Sequence, residues 1–340
     1  MDTQDTELDI ALETPLSGVF VPPSVAHYKP DILAGKSNSH HAAIPSQIAN
    51  DMTTECVLGV DEAGRGPVLG PMVYALLYLP VELHRSLLAD THHFDDSKVT
   101  SPEVRSRLMQ KLCTEGSDLH TACGWATRLM SARDISAHML GPTPYNLNAQ
   151  AMDATIALIK DVMAQGVNVT EIYIDTIGRP ETYQTKLERI WPTVRITVAK
   201  KADSLYPVVS AASICAKVTR DAALEACWES YQSAAADGGG DADKQIGWGS
   251  GYPSDPRTKT WLPHNMDPVF GWGAECRHSW GTAKELLEPQ QNPPVKVDWP
   301  VEDDRNDMRV TDFFASRDES GGDELVDWFG KRVTEEMEVF

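Results

Sequence analysis

Val57-Leu58-Gly59-Val60-Asp61-Glu62-Ala63-Gly64-Arg65-Gly66-Pro67 joins an apolar run to two adjacent carboxylates and a glycine turn. A short apolar run closed by Gly and Pro reads as a buried strand meeting a loop. Neighbouring side chains of a strand point to opposite faces, so Asp61 and Glu62 cannot both sit in an apolar core. A lone buried charge is costly. A divalent cation would resolve the conflict, because carboxylates are hard oxygen ligands suited to Mg²⁺ or Mn²⁺. The glycines let a ligand approach the backbone N–H groups closely. An Asp-Glu pair alone is also how a charged turn ends a strand, so the surrounding chain carries the weight.

Downstream, the apolar run Val68–Leu79 predicts a second strand, antiparallel to the first. Thr121–Met130 predicts a third strand. Residues 171–176, Glu-Ile-Tyr-Ile-Asp-Thr, predict a fourth strand ending at Asp175, and 194–199 a fifth that runs into Lys200-Lys201-Ala202-Asp203. A short helix between these last two predicts a crossover and parallel pairing. Functional groups of open α/β sheets gather beyond the carboxyl ends of the strands. Asp61, Asp175 and Asp203 all fall at such ends, which predicts that they converge beside Glu62. A single Asp there would serve as a helix cap or turn residue. Helical spacing marks Ala149, Met152, Ile156, Ile159 and Met163, with Asn146-Leu147-Asn148 at the start. A long helix of small apolar residues opens after Tyr206-Pro207. It carries Lys217 and Arg220 three residues apart, on one face, where they could pair with acids or hold phosphates. The expected class is α/β, with a mixed five-stranded sheet flanked by helices.

Composition narrows the classes. The chain has 340 residues, 41% of them hydrophobic, which excludes wholesale disorder. A net charge of −20 would repel a polyanion such as nucleic acid. It is concentrated in the ends: residues 1–54 carry −5 and residues 285–340 carry −10, leaving −5 between them. Terminal acidity does not exclude a basic groove in the middle. The six cysteines contain no C-x-x-C, which argues against a zinc site and for reduced thiols inside a cell. No apolar run is long enough for a membrane span. Residues 1–54 read as a disordered acidic leader in which His40-His41 is a solvated pair. Residues 55–288 read as the globular domain, and 289–340 as an acidic tail with two docking islands. One island is Val310 with Phe313-Phe314; the other is Leu325, Phe329, Val333 and Met337 at helical spacing, a helical C-terminal extension.

The hexapeptide Asp61-Glu62-Ala63-Gly64-Arg65-Gly66 resembles the signature of the type 2 ribonucleases H. Asp96-Ser97-Lys98, Tyr145–Asn148, Ile174–Tyr183, Ala199–Arg220 and Gly249–Pro256 extend the resemblance from about Val57 to Ala283. The long core and the Phe-Phe tail look like the eukaryotic catalytic subunit of a heterotrimeric enzyme. The resemblance implies a ribonuclease H-like sheet and four metal-binding acids, Asp61, Glu62, Asp175 and Asp203, holding two Mg²⁺ or Mn²⁺ ions. Four carboxylates can hold such a pair for phosphodiester hydrolysis. It also implies cleavage of RNA/DNA hybrids, and cutting 5′ of single ribonucleotides in duplex DNA to leave 3′-hydroxyl and 5′-phosphate ends, in the nucleus. Gly64, Arg65 and Gly66 would read the 2′-OH, the group that separates RNA from DNA. Tyr252 would stack at the substrate, Lys98 would hold a phosphate, and Asn148 would lie near the cleft. Trp272–Arg277 and the leader depart from the familiar pattern. Companion subunits would dock through the C-terminal region. The spacing of Asp307, Val310, Phe313 and Phe314 also resembles a sliding-clamp box, although such a box normally begins with Gln. Two other classes compete: an inactive nucleic-acid-binding subunit, disfavoured by the four intact acids, and a phosphotransfer enzyme using Gly64–Gly66 as a phosphate loop. The absence of G-x-x-x-x-G-K-[ST] disfavours nucleoside triphosphate use.

Overall fold

The computed structural model describes residues 20–94, 101–143, 145–176, 178–237 and 247–288. Two short helices open it, α1 (Pro23–Ala26) and α2 (Lys29–Leu33), followed by strand β1 (Asn38–His41) and helix α3 (Ser46–Ala49). Strands β2 (Cys56–Ala63) and β3 (Met72–Pro80) form the centre of the sheet. Helices α4 (Pro102–Cys113) and α5 (Asp118–Ala122) lead to β4 (Gly124–Met130), and α6 (Ala132–Leu140) and α7 (Leu147–Ala164) follow. The crossover unit is β5 (Val169–Asp175), α8 (Pro180–Ile190) and β6 (Arg195–Ala199). A single 3₁₀ turn, Ala202–Ser204, carries Asp203 into α9 (Pro207–Asp237). Helices α10 (Pro256–His264) and α11 (Gly281–Leu287) close the described chain.

The sheet is mixed, in the order β1-β4-β3-β2-β5-β6. Strand β2 pairs antiparallel with β3 and parallel with β5, and β5 pairs parallel with β6. These pairings match the sequence expectation for the hairpin and the crossover. Even-numbered residues of β2, such as Leu58 and Val60, pack in one core with Leu158, Ile159 and Val162 of α7. Val57 and Ala63 belong to a second core with Val208, Val209 and Ala212 of α9. The alternation therefore sends Asp61 to the α9 side and Glu62 to the α7 side. Gly59 is needed where α9 crosses: a Cβ there would stand 2.5 Å from the backbone of Val208. That contact seats the first turn of α9 directly on β2, two residues before Asp61.

Four expectations need correction. The sheet has six strands, and the sixth is β1, from the leader expected to be disordered. From Phe20 onward that leader is built into the fold, with Val25, Ile32 and Ile48 buried. Strand β1 reads Asn-Ser-His-His, so it has no apolar alternation to reveal it. It is an edge strand held by backbone pairing to β4, and His40 lies 4.9 Å, ring to ring, from Trp125. The third strand begins at Gly124, because Asp118–Ala122 is a helix capped by Ser117. The second begins at Met72, because 64–71 is a loop rather than a tight turn. Helix α9 runs to Asp237. All six cysteines are free. Lys98, the islands at Val310–Phe314 and Leu325–Met337, and residues 1–19 lie outside the described residues.

Candidate active site

Parallel pairing of Val60 with Ile174 brings the carboxyl ends of β2 and β5 side by side, so Asp61 and Asp175 follow in step. Asp61 is 6% exposed, and its Oδ1 accepts the amide of Glu62 at 2.7 Å. Its pKa is raised well above the usual carboxylate range, first by burial and then by the charges of Glu62 and Asp175, against the Ser213 hydroxyl facing it from α9. Glu62 is pushed up to about 7, again chiefly by burial, with Arg65 opposing and Asp175 adding to the shift. Asp61 thus feels both neighbouring carboxylates across the strand ends, and Glu62 feels Asp175.

Asp203 reaches the same neighbourhood through the backbone. The Ala202 amide donates to Asp175 Oδ1 at 2.6 Å, so the strand-end acid of β5 holds the turn that carries the buried Asp203. Lys201, two residues before Asp203, takes a left-handed conformation with φ of 58°, which reverses the chain after β6. As placed, no three His, Cys, Asp or Glu side chains among the described residues form a metal cage.

The glycine turn is held from behind. Arg277 is fully buried, and its guanidinium donates to the carbonyls of Gly64 at 2.6 Å, Arg65 at 3.0 Å and Gly70 at 3.1 Å. Its carbon Cζ lies 4.7 Å from the centre of the Trp280 ring, whose Nε1 donates to Gly66 O at 3.0 Å. Gly64 has φ of +77°, and a Cβ there would meet Pro71 O at 2.7 Å. The Arg65 side chain turns toward α7, donating to Asn148 Oδ1 and to the Tyr74 hydroxyl. Asn146 is the helix cap, accepting from Ala149 N at 3.0 Å, which leaves Asn148 to the turn.

Tyr252 is 39% exposed and stands over the turn, since a Cβ on Gly66 would lie 3.3 Å from its ring. Its loop is fixed by Asp255, which accepts from Ser250 N and Oγ, and by Arg220, which donates to Ser250 O. Arg220 also pairs with Asp221 at 3.0 Å and lies 5.7 Å from the Tyr252 ring centre. With only 7% of its side chain exposed, Arg220 is a clamp for the tyrosine loop rather than an open phosphate contact. Lys217 is half-buried on α9. The structure therefore brings Asp61, Glu62, Asp175, Gly64–Gly66, Asn148 and Tyr252 together, with Asp203 one turn behind. Sequence reasoning missed Arg277 and Trp280. The available signal was an arginine directly after Cys276, in a segment rich in tryptophan.

A mixed sheet of this order, with acids at the adjoining ends of β2 and β5, defines a ribonuclease H-like protein. The profile of the family described as Ribonuclease HII matches residues 58–283. The chain is 55% identical over 320 residues to a ribonuclease H2 subunit of Neurospora crassa, covering 92% of this chain and 95% of that one. It is 44% identical over 261 residues to the corresponding human ribonuclease H2 subunit, covering 77% and 82%. Among solved structures it resembles the crystal structure of ribonuclease H2 from Pyrococcus horikoshii OT3, with TM-score 0.54 and 29% identity over 68% of this chain and 96% of that one. It also resembles the RNase HII in the PCNA:RNase HII complex from Archaeoglobus fulgidus, with TM-score 0.52 and 27% identity over 66% and 94%. The chain belongs to the ribonuclease HII family, in the branch of the ribonuclease H2 catalytic subunits, and is accordingly a nuclease-type hydrolase. Among the described residues no helix is long and apolar enough to cross a membrane.

Proposed function

We propose that this chain hydrolyses the RNA strand of RNA/DNA hybrids and cuts on the 5′ side of single ribonucleotides in duplex DNA, leaving 3′-hydroxyl and 5′-phosphate ends. The observation that carries the reading is the buried Asp61 at adjoining strand ends, set against the charges of Glu62 and Asp175, with Asp175 acting on Glu62 as well. A buried acid whose pKa is raised by neighbouring carboxylates sits in a site that gains from cations. Asp61, Glu62, Asp175 and Asp203 would hold two divalent ions, Mg²⁺ or Mn²⁺. When bound, such ions supply an activated water and charge for the leaving oxygen.

The remaining work falls to the chain's own groups. The Gly64–Gly66 backbone, fixed by Arg277 and Trp280, would stand beside the 2′-OH of the ribonucleotide. Tyr252, held by Arg220 and Asp255, would stack on the neighbouring sugar. Arg65, tied to Asn148, would offset the charge of Glu62. Lys98 would hold a phosphate. A role in ribonucleotide removal during DNA replication, in the nucleus, follows from this substrate choice. Companion subunits of a heterotrimer would dock on the C-terminal region, with Val310, Phe313 and Phe314 as contacts. The Archaeoglobus relative was solved with PCNA, which keeps a sliding clamp as the second candidate partner.

The test is a cleavage assay on the purified full chain, alone and with companion subunits. The substrate is a duplex carrying one ribonucleotide, with Mg²⁺ or Mn²⁺. A single cut 5′ of the ribonucleotide with a 3′-hydroxyl end is expected. Cleavage 3′ of it, or none in any assembly, would overturn the reading.

A further inference from the structure

A cavity of about 470 Å³ opens beside Glu62 and Asp175, between α7 and α8. That volume falls within the usual range of small-ligand sites. Its floor is apolar, from Val60, Met152 and Ile174, and two arginines line it, Arg65 and Arg179. Arg65 is already committed to Asn148, Tyr74 and the charge of Glu62. Arg179 differs in each respect. It is exposed, and among the described residues it has no ion-pair partner. It immediately precedes Pro180, and its backbone is held extended at φ −85° and ψ 113°. A residue before proline is confined to that region, so the side chain springs from a fixed point rather than a loose loop.

We propose that Arg179 binds a backbone phosphate of the nucleic-acid substrate at this cavity, next to the phosphate that is cut. The inference rests on the nuclease reading above. A phosphate brought alongside Glu62 and Asp175 meets like charges on that wall. Arg65 is spent on Glu62, so the uncommitted cation on the lining is Arg179. A guanidinium suits the task, because its planar fork matches two phosphate oxygens at once. The apolar floor would lie under the attached sugar.

The experiment reads salt dependence. Equilibrium binding of a labelled RNA/DNA hybrid to the full chain is measured against KCl concentration, without divalent ions, for wild type, Arg179→Met and Arg179→Lys. Cleavage with Mg²⁺ is followed in parallel. Losing one phosphate contact should make the slope of log affinity on log salt shallower by about 1. Arg179→Met should weaken binding by roughly 10-fold, the worth of one charge-assisted contact. Turnover at saturation should stay within about twofold, because the contact would be as strong before the transition state as in it. Arg179→Lys should restore the slope and part of the affinity. An unchanged slope for Arg179→Met would overturn the inference, whether or not turnover falls. Hybrid bound but never cleaved by wild type would count against the nuclease reading instead, while the slopes still decide Arg179.

Discussion

Arg277 Nη2 donates to the carbonyl of Gly64 at 2.6 Å, across 213 residues of sequence. One buried guanidinium thereby fixes the turn that follows the two acids of β2. Arg277→Met would leave the carbonyls of Gly64, Arg65 and Gly70 without their donor. An unsatisfied buried group costs about 1–3 kcal/mol, so the variant should lose roughly 3 kcal/mol of stability, read as a lower Tm. Turnover should fall further than the folded fraction does. Arg277→Lys, with a point charge in place of the fork, should recover stability only in part. Wild-type Tm in Arg277→Met would remove the clamp from the account.

Gly64 and Gly66 should respond differently to one added methyl. At Gly64 it meets Pro71 O at 2.7 Å with φ of +77°, so Gly64→Ala should cost about 1–3 kcal/mol and disturb the turn itself. At Gly66 it meets only the Tyr252 ring, at 3.3 Å. Gly66→Ala should keep its Tm and lose turnover. Arg65→Ala leaves Arg277 and Trp280 in place and should cost less turnover than either. Thermal melts and hybrid cleavage on the three variants check the order.

Tyr252→Ala should lower cleavage at a single embedded ribonucleotide more than within a long hybrid, where every site offers other 2′-OH contacts. Stacking of an aromatic ring is worth roughly 1–3 kcal/mol per base, which bounds the effect. The measurement is the ratio of the two rates in variant and wild type. An equal fall on both substrates would reduce Tyr252 to a support of its loop.

Much of this was legible in the sequence. The hairpin of β2 and β3, the β5–α8–β6 crossover and the strand-end placement of Asp61 and Asp175 follow from apolar runs and their breakers. Strand β1 was not legible, because an edge strand of Asn, Ser and His has no hydrophobic period. Arg277 was hidden for another reason: its partners are backbone carbonyls, which leave no mark in the sequence. Arg220 was legible as a cation but not as a clamp, since its burial depends on the loop at Ser250. Asn146 and Asn148 could not be separated until the helix start was fixed.

His40 makes the leader pH-sensitive. Its pKa is lowered to about 4, first by burial and then by His27 and His41. The rings of Trp125, Tyr28 and His27 pack around it. The unfolded chain binds a proton near pH 6.5 and the folded one does not, so stability falls as pH drops from 6.5 toward 4. The loss at pH 5 should be roughly 2 kcal/mol. Tm should drop more between pH 7.5 and 5 in wild type than in His40→Gln. Parallel curves for the two would show that His40 does not carry the effect.

The central claim is that Asp61 and Asp175 serve cleavage rather than folding. Asn at either position keeps an oxygen to accept the amide of Glu62, at 2.7 Å, or of Ala202, at 2.6 Å. It also removes one of the charges that repel one another at the strand ends. The decisive measurement sets Tm without divalent ions beside hybrid cleavage with Mg²⁺, for Asp61→Asn, Asp175→Asn and wild type at pH 7.5. The predicted result is a Tm equal to or above wild type, with turnover down by roughly 10² to 10³-fold or more. Near-wild-type turnover in either variant, or turnover lost only in step with folding, would contradict it.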